Sequence, residues 1–133
     1  KKEKIAERAL VIVLQYPALF DMVKTVIAYM NGDVRALFDC FDNGVLINVP
    51  ESLNEQANML TLRGSIELVE TTTDASRELT RLIKALTLEH FRGRQIELRL
   101  AIARYEHAGD EAGLHQALQE FDAITKELHT VQQ

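Results

Sequence analysis

The stretch that decides the fold lies near the C-terminus, where residues 98–128 read LRLAIARYEHAGDEAGLHQALQEFDAITKEL. Gly109 and Asp110 interrupt two runs of helix-forming residues here, and glycine suits the position after a helix as aspartate suits the next N-cap. The pattern predicts a helical hairpin, formed by a long helix from Arg77 to His107 and a last helix running to Gln133.

The last helix carries one apolar stripe, because its apolar residues recur at steps of three and four on a 3.6-residue period. The stripe consists of Leu114, Leu118, Phe121, Ile124 and Leu128. A two-helix hairpin buries little surface by itself, so the stripe either packs against the rest of the chain or contacts a partner.

Within the long helix, the apolar positions are dense up to Leu86 and become sparser beyond Phe91. The second half carries a narrower seam, which comprises Ile96, Leu98, Leu100, Ile102 and Tyr105. This change predicts that the first half is embedded in a bundle and the second half forms an arm. Gly93 is a candidate point of close packing or bending, because an interior glycine costs about 1 kcal/mol relative to alanine.

Pro17 divides the N-terminal region into two predicted helices. A proline disfavours helix at the residue before it, so the first helix is expected to end near Gln15. Pro17 suits the first turn of the second helix, whose apolar face extends to the break at Asn31 and Gly32.

A third, short helix is expected between an Asp33 N-cap and the break at Asn43 and Gly44. Its apolar face comprises Val34, Leu37, Phe38 and Phe41. The following run, Val45–Val49, is rich in β-forming residues but has no evident partner strand. We therefore interpret it as an extended connection.

A fourth helix is expected to begin at a capping box formed by Ser52 and Glu55. The helix is expected to continue through Leu53, Ala57, Leu60, Gly64 and Leu68. The β-branched run Thr71–Thr73 then favours a break, and Asp74 is the expected cap of the long helix.

These elements predict an all-α fold: a helical bundle over residues 1–92, then the long-helix arm and the C-terminal hairpin over residues 93–133. The 133 residues, 47% of them hydrophobic, suit a single domain. No apolar run approaches the roughly 20 residues that span a bilayer, and the start lacks a signal peptide's apolar core. We expect a cytoplasmic protein without membrane contact. The chain opens without Met inside a helical pattern, which suggests a segment of a longer protein.

The net charge of −5 argues against a general nucleic-acid binder, so no direct nucleic-acid contact is expected. The arginines of the long helix alternate with glutamates, which is typical of a salt-bridged, solvated face. Cys40 is the single cysteine, so it can form no intrachain disulfide, and we expect it to be a small buried hydrophobe.

No catalytic motif is present. The histidines are scattered along the chain at His90, His107, His115 and His129. None forms an HExxH motif or pairs with cysteine at zinc-ligand spacing, and the chain has no P-loop, Rossmann or GxSxG pattern. The acidic residues Glu67, Glu70 and Asp74 are interpreted as a solvated helix end rather than a cation site. We expect no catalytic residue, metal or cofactor in this fragment.

Two segments carry a family likeness. Residues 6–10 (AERAL) and 13–19 (VLQYPAL) resemble the first helix, and its proline-containing end, of the C-terminal helicase-binding domain of DnaG-type bacterial DNA primases. Residues 98–104 (LRLAIAR), Gly109–Glu111 and the run from Leu118 to Leu128 resemble that domain's long helix and terminal hairpin. Together they cover about half of the chain, whereas residues 31–76 match no motif of the family.

The resemblance implies a non-catalytic domain that binds the N-terminal domains of the replicative hexameric helicase and recruits RNA primer synthesis to the replication fork. The parent would be a nucleotidyltransferase whose catalytic and zinc-binding domains lie upstream. The expected contact residues are Arg104, Tyr105, Leu118, Phe121, Lys126, Glu127, Leu128 and His129. Apolar anchors would be desolvated on docking, and the charges would set orientation.

Four alternatives stay open. Leu118, Phe121 and Leu128 could pack only inside the hairpin, against Ile102 and Tyr105. The chain is also similar in plan to the N-terminal domain of the helicase itself. It could instead be a self-associating regulatory module whose hairpin pairs with its own copy, or a small enzyme or ligand-binding bundle around His90.

Overall fold

The computed structural model describes residues 2–67 and 69–132, and it confirms an all-α fold with one small β-hairpin. The α-helices are α1 (Lys2–Gln15), α2 (Phe20–Val23), α3 (Gly32–Asp39), α4 (Asn54–Ile66), α5 (Thr72–Ala108) and α6 (Glu111–Gln132). The strands are β1 (Phe41–Asp42) and β2 (Val45–Leu46), and 3₁₀ segments span Pro17–Leu19, Lys24–Tyr29 and Glu51–Leu53. None of the helices in the described ranges is both long and apolar enough to cross a membrane.

The chain divides into two compact units, Lys1–Leu86 and Thr87–Gln133, and the predicted boundary at residue 93 lies a few residues later. In the first unit, α1 is the central helix. Ala9–Val13 are five consecutive residues that are fully buried. At 100° per residue they cover the whole circumference of α1, so other elements surround it. α3 and α4 pack directly on α1.

Side chains at the end of α1 and directly after it hold the connection between α4 and α5. The Gln15 amide donates to the Glu67 carbonyl at 2.6 Å and accepts from the Val69 N–H at 3.1 Å. The Tyr16 hydroxyl also donates to the Val69 carbonyl. Together these hydrogen bonds fix the backbone on either side of residue 68, which lies outside the described residues. The prediction that Leu68 extends the fourth helix therefore falls outside the described part of the chain.

The first helix ends at Gln15 as predicted, but the prediction of one continuous second helix is wrong. After Pro17 only Phe20–Val23 is α-helical, and 3₁₀ turns precede and follow it. The spacing of Val23 and Val26 fits this change, because a step of three places side chains on one face of a 3₁₀ helix. Val23 and Val26 are buried, and the Phe20 ring stacks on Phe41 with centroids 4.4 Å apart.

Residues 41–46 form a β-hairpin, so the interpretation of Val45–Val49 as an extended connection without a partner is wrong. β1 pairs antiparallel with β2, with Phe41 opposite Leu46. The two loop residues, Asn43 and Gly44, have φ of 54° and 99°, as a type I′ turn requires. Phe41 therefore belongs to a strand and not to the apolar face of α3. An Asn-Gly pair is a sequence signal for a β-hairpin as well as for a helix end, and only the helix end was predicted.

The N-caps predicted for α3 and α4 are also wrong. Asn31 precedes α3 as its N-cap and makes no side-chain cap hydrogen bond, whereas Asp33 lies in the first turn. Ser52 and Glu55 form no capping box, because the chain enters α4 through a 3₁₀ turn and Leu53 is the N-cap. The continuous 3₁₀-to-α path satisfies the first amide groups through the backbone.

The long helix begins earlier than predicted and has a different cap. The Thr71 hydroxyl oxygen accepts from the Asp74 N–H at 3.0 Å, so Thr71 caps α5 and Asp74 lies in its first turn. The break after the helix is confirmed. Gly109 has φ of 69°, and the Asp110 carboxylate accepts from the Gly113 N–H at 3.0 Å, which caps α6.

We expect the Arg8–Glu78 ion pair to make stability depend on pH. Arg8 donates from Nε and Nη2 to the two carboxylate oxygens of Glu78, at 2.6 and 3.0 Å, and this bonding lowers the pKa of Glu78. Because the folded pKa lies below the unfolded value of about 4.3, the contribution is present at neutral pH and is lost as the pH falls. Glu78→Gln should lower the free energy of unfolding by about 1 kcal/mol at pH 7, after allowance for solvent screening.

Urea denaturation followed by circular dichroism at pH 7 and pH 3 measures this effect. The control is Asp21→Asn, which removes an exposed pair with Lys24 and should change stability by less than about 0.5 kcal/mol. An equal loss of stability in Glu78→Gln at both pH values would contradict the assignment.

Candidate partner-binding hairpin

The second unit is a helical hairpin, formed by residues 87–108 of α5 and by α6, and it has its own core. Its buried residues are Leu98, Ala117, Ile124 and Leu128. Among the partly buried side chains packed on them are Ile102, Tyr105 and Phe121. Of the predicted contact residues, Leu128 thus lies inside the hairpin, and Tyr105 and Phe121 present only part of their surface to solvent.

Polar contacts set the register of the two helices. Arg94 donates from Nε and Nη2 to the two carboxylate oxygens of Glu120, both at 2.9 Å, and from Nη1 to Glu97 at 2.8 Å. Hydrogen bonding to Glu97 and Glu120 raises the pKa of the Arg94 guanidinium. The Gln95 amide donates to the Thr125 hydroxyl at 3.1 Å. A bidentate arginine–carboxylate pair has a defined geometry, so this pair fixes how the helices align.

Arg104 and Tyr105 lie together near the closed end of the hairpin. Both line an open groove of about 460 Å³ between the two helices, whose other polar side chains include Gln116 and the Arg94–Glu120 pair. Arg104 is exposed. The structure thus places these two predicted residues on one side of the hairpin, in a setting rich in hydrogen-bonding groups.

Leu118 and Phe121 are neighbours on α6, because residues three apart share a helix surface. Leu118 is 48% exposed, whereas Phe121 packs on the hairpin core. The Arg99 guanidinium lies over the Phe121 ring, 5.7 Å from its centroid, which is within the range of a cation–π contact. Arg99 therefore belongs to this surface, although sequence reasoning did not include it.

The remaining predicted residues lie towards the open end of the hairpin. Lys126 forms an exposed ion pair with Asp122 at 3.2 Å, one helical turn away, and Glu127 and His129 are exposed. At 1.5 Å per residue this end is on the order of 20 Å from Arg104 along the hairpin axis. The structure therefore does not gather the eight predicted residues into one continuous patch.

Sequence reasoning missed an apolar face on the outer side of α5. Ile96 and Leu100 are 57% and 63% exposed, and Ala103 is exposed one turn further on. We call Ile96, Leu100 and Ala103 the outer face of α5. Leu100 and Ala103 also line a shallow depression of about 430 Å³, bordered by Glu97 and Arg104.

The narrower apolar seam of the long helix already contained the sequence signal for this face. Residues two apart differ by 200° on a helix, so Ile96 and Leu100 must point away from the side that Leu98 and Ile102 occupy. The apolar seam therefore lies on two faces of α5. Leu98 and Ile102 contribute to the hairpin core, whereas Ile96 and Leu100 remain exposed to solvent.

The candidate chemical groups of this chain are its histidine, cysteine and acidic side chains. Residues 2–67 and 69–132 contain no group of three or more His, Cys, Asp or Glu side chains that could hold a metal ion. The His90 ring packs edge-on against Phe91, with centroids 5.5 Å apart. Cys40 is half-buried, with its Sγ 3.9 Å from the Asn48 carbonyl, so the expectation of a fully buried thiol is wrong.

Comparison of the chain with protein-family models, with curated proteins and with solved structures finds no match in any of the three.

Two glycines of the hairpin should respond oppositely to alanine. A Cβ on Gly93 would meet nothing within 4 Å, so Gly93→Ala should stabilise the hairpin by about 0.5–1 kcal/mol. A Cβ on Gly113 would lie 2.7 Å from both Tyr105 and Asp110, so Gly113→Ala should destabilise it by about 1–3 kcal/mol.

Amide hydrogen exchange in α6 measures both effects: protection should rise about two- to fivefold in Gly93→Ala and fall in Gly113→Ala. A loss of protection in Gly93→Ala would contradict this prediction, because nothing within 4 Å of the added Cβ accounts for it.

Proposed function

We propose that this chain is the helicase-binding domain of a DnaG-type bacterial DNA primase. In this role it performs no chemistry: it binds the N-terminal domains of the replicative hexameric helicase and recruits RNA primer synthesis to the replication fork. The structural observation that carries the proposal is a hairpin that completes its own core and still exposes three large apolar side chains. These are Ile96, Leu100 and Leu118.

The self-contained core bears on one of the open alternatives. Because Leu98, Ala117, Ile124 and Leu128 already bury the facing sides of the helices, the exposed residues are not needed to hold the hairpin together. An exposed apolar side chain on a helix is a typical anchor for a groove in a partner protein. This favours a role in recognition for the outer face of α5 and for Leu118, and a structural role for Leu128.

Charges beside the outer face of α5 would orient the partner. Glu97 and Arg104 border the depression around Leu100 and carry opposite signs. Such rim charges affect orientation and the association rate more than affinity. The expected contact therefore has an apolar centre at Leu100 and a polar border, which is the usual arrangement of a protein–protein interface.

The resemblance to the primase domain supports the choice of partner. It covers α1 with its proline-containing end, and it covers the long helix with the terminal hairpin, in the same order along the chain. In this proposal the parent protein is a nucleotidyltransferase whose catalytic and zinc-binding domains precede this segment.

Substitutions in the hairpin should weaken binding to the helicase. We expect Leu100→Gln and Leu118→Gln each to reduce the affinity for the N-terminal domain of the replicative helicase by about fivefold or more, as loss of an interface anchor does. Leu62→Gln is the matched control, because Leu62 is similarly exposed but lies in the first unit. Isothermal titration calorimetry with the full chain measures the affinities, and circular dichroism checks that the helices are intact.

Three outcomes would contradict the proposal or relocate the contact. If the unaltered chain does not bind the helicase, the assignment to the primase domain is wrong. Unchanged affinity in both hairpin variants would place the contact elsewhere on the chain. A dimer of the unaltered chain that dissociates on Leu100→Gln would instead support a module whose hairpin pairs with its own copy.

A further inference from the structure

The chain contains two Asn-Gly pairs, Asn31-Gly32 and Asn43-Gly44. The side-chain amide of an asparagine can be attacked by the backbone nitrogen of the next residue, because the two groups close a five-membered ring within one chain. Glycine hinders this attack least, since it has no Cβ beside the nitrogen. The two pairs have the same sequence, so their structural surroundings decide how each of them reacts.

Asn31 lies directly before α3, between two buried side chains. Met30 and Val34 are buried, whereas Asn31 and Gly32 are exposed. The backbone of Asn31 is extended, with φ of −146° and ψ of 175°, and its side chain makes no cap hydrogen bond to α3. Such a bond usually holds the side chain of an N-cap asparagine against the first turn. The Asn31 amide is therefore free to rotate towards the Gly32 nitrogen.

The Gly32 nitrogen is accessible as the attacking group. It belongs to the first turn of α3, where a backbone N–H has no acceptor within the helix. Gly32 has φ of 69°, and a Cβ at this position would meet nothing within 4 Å. The space around the peptide bond is thus open, and Gly32 has no intrahelical N–H bond to lose when the ring closes.

The second Asn-Gly pair lies in a constrained setting. Asn43 and Gly44 form the two-residue turn of the β-hairpin, and Asp42 pairs with Val45 on either side of the turn. A Cβ at Gly44 would lie 2.7 Å from the Cγ of Pro17, so the turn packs closely on this proline. Ring closure requires rotation about the Cα–C bond of the asparagine, and here that rotation would disrupt the hairpin. This pair should react slowly while the chain is folded.

We infer that Asn31-Gly32 is a site of spontaneous covalent modification in the folded protein, through a succinimide. The Gly32 nitrogen bonds to Asn31 Cγ while the Cγ–Nδ2 bond breaks, and Nδ2 leaves as ammonia with the proton of the Gly32 N–H. Water then opens the ring. Hydrolysis of the bond between the Gly32 nitrogen and Cγ yields aspartate, and hydrolysis of the bond to the main-chain carbonyl carbon yields isoaspartate. No atom is oxidised or reduced, and water is the only other reactant.

The two products should affect the first unit differently. Aspartate at position 31 places a carboxylate at the N-terminal end of α3, where it can accept from first-turn N–H groups. Isoaspartate routes the main chain through Cβ and Cγ, so one extra atom separates the buried residues Met30 and Val34. Because α3 packs on α1, and a close-packed core tolerates little displacement, isoaspartate should loosen α3. The modification is independent of the proposed function, since α3 belongs to the first unit and the proposed helicase contact to the hairpin.

Timed incubation of the full chain in mildly alkaline buffer tests the site. Proteolytic digestion followed by mass spectrometry measures the loss of each asparagine amide and identifies isoaspartate by fragmentation. In the folded chain Asn31 should react at least about tenfold faster than Asn43. In guanidinium chloride, which unfolds the chain, the two rates should agree within about twofold, because both pairs are then in flexible chain.

Variants separate the chemistry from its structural effect. Asn31→Gln should slow the reaction at this position at least about tenfold, because glutamine would have to close a six-membered ring. Asn43→Gln is the matched control and should leave the rate at Asn31 unchanged. Amide hydrogen exchange in α3 should show protection at least about fivefold lower in the purified isoaspartyl species than in the unaltered chain. Freshly prepared Asn31→Asp, which has the charge of the products and a normal main chain, should retain full protection.

Three results would overturn the assignment of the site. The first is an equal or faster reaction of Asn43 in the folded chain. The second is a ratio of the two rates that stays the same after unfolding, which would mean that the structure plays no part. The third is aspartate without isoaspartate at position 31, which would indicate direct hydrolysis of the side-chain amide. Unchanged exchange in the isoaspartyl species would refute the loosening of α3. Failure of the unaltered chain to bind helicase would refute the proposed function and leave these rates unaffected.

Discussion

The complete burial of the middle of α1 is the constraint on which the first unit depends. Ala9–Val13 have no solvent-facing side, so neighbouring elements must cover every direction around the helix. α3, α4 and the 3₁₀ turn at Pro17–Leu19 pack on α1, and each covers part of its circumference. Arg8, in the middle of α1, then forms hydrogen bonds to Glu78 in α5, and Gln15, at the end of α1, forms hydrogen bonds to Glu67 and Val69 in the α4–α5 connection.

The helical hairpin of the second unit is under a different constraint, because two helices can cover only one side of each other. Leu98 and Ile102 on α5, with Ile124 on α6, contribute to the apolar layer between the helices. Whatever apolar residues the helices carry elsewhere must stay exposed. Ile96 and Leu100 are such residues, and their exposure is the feature of the second unit that most needs a functional explanation. The same reasoning applies to α4, whose inner side is taken by α1.

Sequence reasoning succeeded where a local signal has a single structural meaning. Pro17 ends α1 at Gln15, and Gly109 with Asp110 ends one helix and caps the next. It failed where a signal has two meanings. Asn43-Gly44 ends a helix or makes a type I′ turn, and only the pairing of Phe41 with Leu46 decides between them. Likewise, the three-residue spacing of Val23 and Val26 is compatible with α and 3₁₀ turns, and only the structure shows that Lys24–Tyr29 is a 3₁₀ segment.

The sequence by itself determined the helical class, the end of α1 at Gln15, the break at Gly109 and the apolar stripe of α6. These follow from backbone preferences and periodicity, which act over a few residues. Only the tertiary structure decided which apolar residues are used for packing and which remain exposed. Leu128 and Leu118 belong to the same stripe, yet one is buried and the other is not. The reason is physical: burial depends on what a neighbouring element covers, and periodicity describes only the helix itself.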